Sequence, residues 1–188
     1  MAERRFVMHD RSAAITKALR DLTGKEVLVG FPESGAARTG GGITNAALGY
    51  IHEFGAPAAN IPPRPFLVPG VRKVANQYTP HLRKAAEAAL NGDAQTVQRE
   101  LVAAGIIAEN GAKAEITTGN FVPLKPGTIA ARARGRGTLS RRPSEEQYMQ
   151  LVKSGVAPGV AQAQTGIRPL INTGQLRRAI TSVVVRRK

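Results

Sequence analysis

Residues 43–71 read ITNAALGYIHEFGAPAANIPPRPFLVPGV, and the chain is organised around the change of texture inside this stretch. Asn45 can cap a helix, because its side-chain oxygen can accept from the first free amides. Ala46, Ala47, Tyr50, Ile51 and Phe54 then recur at three- and four-residue spacing, which predicts an amphipathic helix with one apolar stripe. Gly55 suits the left-handed residue that ends it. Pro62, Pro63, Pro65 and Pro69 follow. Each fixes its own φ, removes a donor and pushes the preceding residue towards extended geometry. The expectation is a stiff extended strut with Arg64 and Phe66 projecting from it. Such a strut loses little entropy when another chain packs on it, so Pro62, Pro63, Arg64, Pro65, Phe66 and Leu67 are candidate subunit-interface residues. The alternative is an internal connector whose Phe66 and Leu67 fill the chain's own core.

A chain of 188 residues is one domain, or one domain with an embellishment, and can bury a real core. It has no cysteine, so neither a disulfide nor a thiolate metal site is available. Tryptophan is absent and aromatics make up only 4%, which argues against the stacking platforms of single-stranded nucleic-acid binders. No apolar run approaches the roughly 20 residues of a membrane span, and residues 1–10 show no secretory signal. The expectation is a protein that stays in a reducing cytoplasm until it meets its partners. The formal charge of +14 is unevenly spread. Residues 1–119 hold 14 Lys/Arg against 11 Asp/Glu, whereas residues 120–188 hold 13 against only Glu145 and Glu146. A basic C-terminal third favours a polyanionic surface, either nucleic acid or the acidic face of another protein.

Along the chain, Ala14, Ile15, Ala18, Leu19 and Leu22 predict a short N-terminal helix ended by Gly24. Residues 25–31 (KEVLVGF) read as a strand and residues 34–42 (SGAARTGGG) as a flexible loop. After the strut, Val71, Val74, Tyr78, Leu82 and Ala85 trace a helical face, with a break expected near Tyr78 because Thr79 and Pro80 suit an N-cap and first turn. Val97, Leu101, Ala104, Ala108 and Ala112 line the next helix, whose Gly105 and Gly111 permit close packing and which ends by Gly119. From about 131 to 166 the chain reads as a basic arm or insertion, with residues 145–152 able to form a short helix that turns Tyr148, Met149 and Val152 inwards. Thr173 can cap a short helix, and residues 181–185 (TSVVV) form a strand to be paired with 27–31. The predicted class is α+β: a small mixed or antiparallel sheet packed with amphipathic helices, carrying a long basic loop near the C-terminus.

Chemical motifs are scarce. His52-Glu53 would begin a zincin motif, but position 56 is alanine, and His9 and His81 have no partners at ligand spacing; no metal or cofactor is expected. TGGGIT around Gly41 lacks the Lys-Ser/Thr of a P-loop. Arg132, Arg134, Arg136, Arg141 and Arg142 are the remaining candidate site. They can neutralise phosphates in a salt-dependent, sequence-independent way, or order against acidic residues of a neighbouring subunit.

HEFG, IPPRPFL and PLINTGQL (residues 169–176), with VLVGFP (27–32) and PLKPGTIAARAR (123–134) in the same order, resemble the tail-component family of long-tailed bacteriophages. That family includes neck and tail-completion proteins related to the minor tail protein Z group. The resemblance runs from about residue 27 to the C-terminus. It implies a structural virion protein rather than an enzyme: an α+β protomer in a ring, expected to be hexameric, around the axis through which DNA passes. The partners it implies are further copies of the chain, neighbouring neck and tail proteins, and channel DNA in non-specific contact. A tail terminator that caps tube polymerisation belongs to the same class. A small basic nucleic-acid-binding protein is the rival from another.

Overall fold

Two strands far apart in sequence close the structure, a computed structural model that describes residues 12–32, 42–134 and 143–187. β1 (Lys25–Gly30) and β2 (Thr181–Arg186) pair antiparallel, with Lys25 opposite Arg186 and Gly30 opposite Thr181. Both segments are rich in β-branched residues, and their pairing is the one expected from sequence. The described fold is α+β and mostly helical.

The sheet rests on α5 (Ala94–Thr118), a helix started by Asp93, whose carboxylate accepts from the Thr96 amide at 2.9 Å. Val97, Leu101, Ala104, Ala108 and Ala112 are buried along it as the periodicity predicts, and the stripe continues to Ile116. Two glycines set its contacts. A Cβ on Gly105 would crowd Ser182 and Val27 at 3.1 Å, and one on Gly111 would stand 2.5 Å from the Gly70 carbonyl oxygen. Backbone therefore meets backbone where α3 (Leu67–Lys73) crosses α5. α4 (Ala75–Leu90) packs Ala85, Ala88 and Ala89 against Val97 and Leu101, and α1 (Ser12–Thr23) adds Leu22 at the edge of that cluster.

The helix break falls at Val74, not near Tyr78. The Thr79 hydroxyl donates to the Ala75 carbonyl at 2.7 Å instead of capping, and Pro80 lies inside α4. Proline is tolerated there because the carbonyl it leaves without a donor belongs to Asn76, an exposed residue that water can satisfy.

Within the span from about 131 to 166, the described residues on either side of 135–142 are mostly helical. α6 (Pro126–Arg134), α7 (Pro143–Lys153) and α8 (Pro158–Thr165) gather Ile129, Tyr148 and Ala161 with Leu124 and Ile167 into their own apolar cluster. Tyr148, Met149 and Val152 turn inwards as expected. Burial of that cluster, more than helix propensity, orders the segment. Residues 135–142, and with them Arg136, Arg141 and Arg142, lie outside the described residues, as does most of the loop at 34–42. The chain then turns through Gly174 (φ +74°) into α9 (Gln175–Arg178), with the Thr173 hydroxyl accepting from the Gln175 amide at 3.4 Å.

Glu109 joins α5 to the start of β2. Its carboxylate accepts from the Ser182 amide at 2.8 Å, the Ser182 hydroxyl at 3.0 Å and Lys113 Nζ at 2.6 Å. Burial works against the charged form, but the hydrogen bonds from Lys113 and Ser182 outweigh it and hold the carboxyl below the ordinary glutamate value of 4.5. A depressed carboxyl pKa stabilises the fold fully above that ordinary value, and the contribution is lost as pH falls through the lowered one. The urea midpoint is thus expected to drop between pH 5 and pH 3. Glu109→Gln should be less stable at pH 7 and lose less on acidification; an unchanged acid slope would show that Glu109 does not hold β2.

Candidate docking surface

α2 (Asn45–Phe54) starts at Thr44, not Asn45: the Thr44 hydroxyl accepts from the Ala47 amide at 3.1 Å, while Asn45 is buried. The helix is also rotated away from its apolar stripe. It buries Asn45, Gly49 and Glu53 and turns Tyr50 and Phe54 outwards, 66% and 63% exposed, with ring centroids 4.8 Å apart. Gly49 is inward because the Phe31 ring lies against it, in the space a Cβ would fill.

Glu53 is inward because its carboxylate is needed there. It accepts from the amides of Phe66 at 2.8 Å, Leu67 at 2.9 Å and Val68 at 3.0 Å, the free donors at the start of α3. α3 has no capping side chain of its own, so a carboxylate from α2 takes that place. Between the two helices the chain makes a tight return. Gly55 has φ +80°, and any Cβ on it would press on the Ile61 carbonyl oxygen and Pro63 N at 3.0 Å. Ala56 and Ile61 form a bridge, and the Arg64 amide donates to the His52 carbonyl at 2.6 Å. HEFG and RPFLV are two halves of one clasp.

The strut consequently does not project Arg64 and Phe66. Phe66 has no exposed surface and packs edge-to-face on Phe31, with centroids 6.3 Å apart, in a cluster with Ile116, Leu170 and Leu176. Arg64, only 5% exposed, donates through Nε to the Val122 carbonyl at 2.8 Å and through Nη2 to the Pro123 carbonyl at 3.2 Å. Burial lowers its pKa from the ordinary arginine value. The internal-connector alternative describes Phe66, with Leu67 partly buried against the same cluster. Of the remaining candidates, Pro63 and Pro65 are exposed, and Pro62 and Leu67 are half-buried.

Arg132 is likewise committed within the chain. It donates to the carbonyls of Pro169 at 2.8 Å, Ile171 at 3.2 Å and Arg168 at 3.3 Å, so it holds a turn instead of waiting for a polyanion. Arg134 is exposed. His81 pairs with Glu100 at 2.7 Å, and the described residues gather no group of acids and histidines able to hold a metal. No described helix is long and apolar enough to cross a membrane.

The two arginines hold opposite lips of one groove. Arg64 fixes the segment at 122–123 and Arg132 fixes the turn at 168–171. Between them Gln162 Oε1 accepts from the Leu124 amide at 2.7 Å and ties α8 to the first lip. The groove has a volume of about 240 Å³, with Phe121 and Ile167 in its lining, Asn120 and Arg168 as polar groups, and bare backbone at Gly159 and Gly166. Sequence reasoning missed both Glu53 and Arg168. A signal for Glu53 was present: a lone acid on a helix, followed by a helix start at RPFLV that has no capping residue. No family model, characterised protein or solved structure matches this chain.

Proposed function

We propose that the protein is a structural virion component: a ring-forming subunit of the phage head–tail connector, acting in tail completion or head-to-tail joining. The motif resemblance supplies the class. The observation that carries the reading into three dimensions is the Tyr50–Phe54 pair, two touching aromatic rings held outwards on a helix whose opposite face is locked by Glu53. Large aromatic side chains left in water on a rigid element are surface for another subunit to cover. Leu28 and Val183, cross-strand partners on β1 and β2, are also exposed and add an apolar sheet face. Assembly on these surfaces would give the ring its contacts, with neighbouring neck and tail proteins above and below it and DNA passing through.

Mild dissociation of virions, followed by mass determination of the fragments, tests this. The expected result is a closed ring travelling with the head–tail junction or the end of the tail. Absence from particles, with salt-sensitive co-purification with nucleic acid, would overturn it in favour of a small nucleic-acid-binding protein. In a knockout, tails of normal length that fail to join heads would assign completion, and overlong tubes would assign the terminator role.

A further inference from the structure

We propose that the groove between residues 119–123 and 159–169 is a docking site for a short extended segment of an acidic partner protein, with one partner carboxylate pairing with Arg168. This rests on reading the protein as a docking subunit and adds the chemistry of what docks.

The groove is built in advance. One lip is held by Arg64, the other by Arg132, and Gln162 joins them; Arg64 and Gln162 are both buried. A segment entering it therefore meets fixed walls and need not order them, which lowers the cost of binding. Arg168 stands at the rim with its backbone carbonyl gripped by Arg132. Its own guanidinium is exposed and makes no hydrogen bond or ion pair among the described residues. Among the described residues it is the sole charged one lining the groove. The nearby acid, Glu115, is already paired with Lys73 at 2.6 Å.

Size and lining select the ligand. At about 240 Å³ the groove falls below the roughly 300–1,000 Å³ of small-molecule and cofactor sites. It suits one or two side chains and their backbone. Gly159 and Gly166, whose missing side chains leave open space, let a second backbone approach closely, and the side-chain amide of Asn120 can serve its peptide groups. A planar guanidinium favours a carboxylate held by two parallel bonds. A nucleic-acid strand would require several cations along its phosphates, and among the described residues this lining offers one. A second copy is a poor source of the acid, because each chain carries +14 and most of its described glutamates are engaged internally: Glu26, Glu53, Glu100, Glu109 and Glu115.

The test is a ¹H–¹⁵N titration of the intact chain with an acetylated, amidated pentapeptide, Ala-Val-Asp-Val-Ala, and with its Asn counterpart. Saturable shifts confined to 119–123 and 159–169 are expected, with the Asp peptide binding about fivefold to tenfold tighter, the scale of one well-placed ion pair. Arg168→Gln should erase the difference between the two peptides. Ala163→Trp, which fills the groove from an exposed position, should abolish binding of both while the spectrum stays dispersed. Equal binding of the two peptides, shifts elsewhere, or no shift at several millimolar would overturn the proposal. So would tighter binding of single-stranded oligothymidine at the same residues, or self-association of the chain that Arg168→Gln removes. Particle fractionation reads the connector role and is blind to Arg168, whereas the titration needs no particle, so either reading can fail alone.

Discussion

Phe66→Ala is expected to destabilise the isolated chain by about 4 kcal/mol, the middle of the range for a buried phenylalanine, and to lower its Tm by roughly 12 °C. The ring has no exposed surface and touches elements from three parts of the chain: Phe31 after β1, Ile116 on α5, and Leu170 and Leu176 near the C-terminus. The cost of a large-to-small change depends on how far the walls can collapse, and here they cannot move far. α3 is pinned to α5 at Gly70 and Gly111, where no extra atom fits, and the first turn of α3 hangs from Glu53. The strut reading of the sequence predicts a different outcome, a folded monomer that fails only to assemble. Thermal and urea unfolding of the purified variant separates the two. A Tm within a degree or two of the parent, together with failed assembly, would restore the strut as a contact surface.

The strands and α5 were legible because their burial is apolar and periodic. TSVVV and KEVLVGF have few alternatives to pairing with each other, and the Val97–Ala112 stripe is continuous. α2 was not legible in its rotation, although its position and end were. Periodicity counts apolar residues, and the helix turns its rings outwards to satisfy a carboxylate and accommodate Phe31. α8 carries only a weak apolar pattern, and its order comes from Ala161 meeting Tyr148 and Ile129, contacts made across the sequence. The candidate site suffered most for the same reason. Arg64 and Arg132 were recognised as important cations, but the carbonyls they grip lie 58 and 37 residues away. Arg168, which those grips leave presented at the groove, has no local signature.

Glu53→Ala should cost about 3 kcal/mol, which makes a single acid of HEFG nearly as important as the core ring it faces. Three amides lose their acceptor. Phe66 N is buried and bears the full penalty of about 1–3 kcal/mol for an unsatisfied donor, whereas Val68 is exposed and can turn to water. Loss of the cap itself accounts for about 1 kcal/mol more. Glu53→Gln keeps one acceptor oxygen in place and should lie between, at about 1–2 kcal/mol, because the favourable charge at the helix start is gone. Hydrogen exchange gives the local readout: amides 66–68 should exchange faster in Glu53→Ala well before global unfolding, while amides of the β1–β2 ladder remain protected. Unchanged protection at 66–68 would show that α3 caps itself. The double variant with Phe66→Ala should lose clearly less than the sum of the two, since Glu53 holds the amide of the same residue whose ring fills the core. Strict additivity would mean that the clasp and the core are independent, and that the close spacing of HEFG and RPFLV serves something other than the fold.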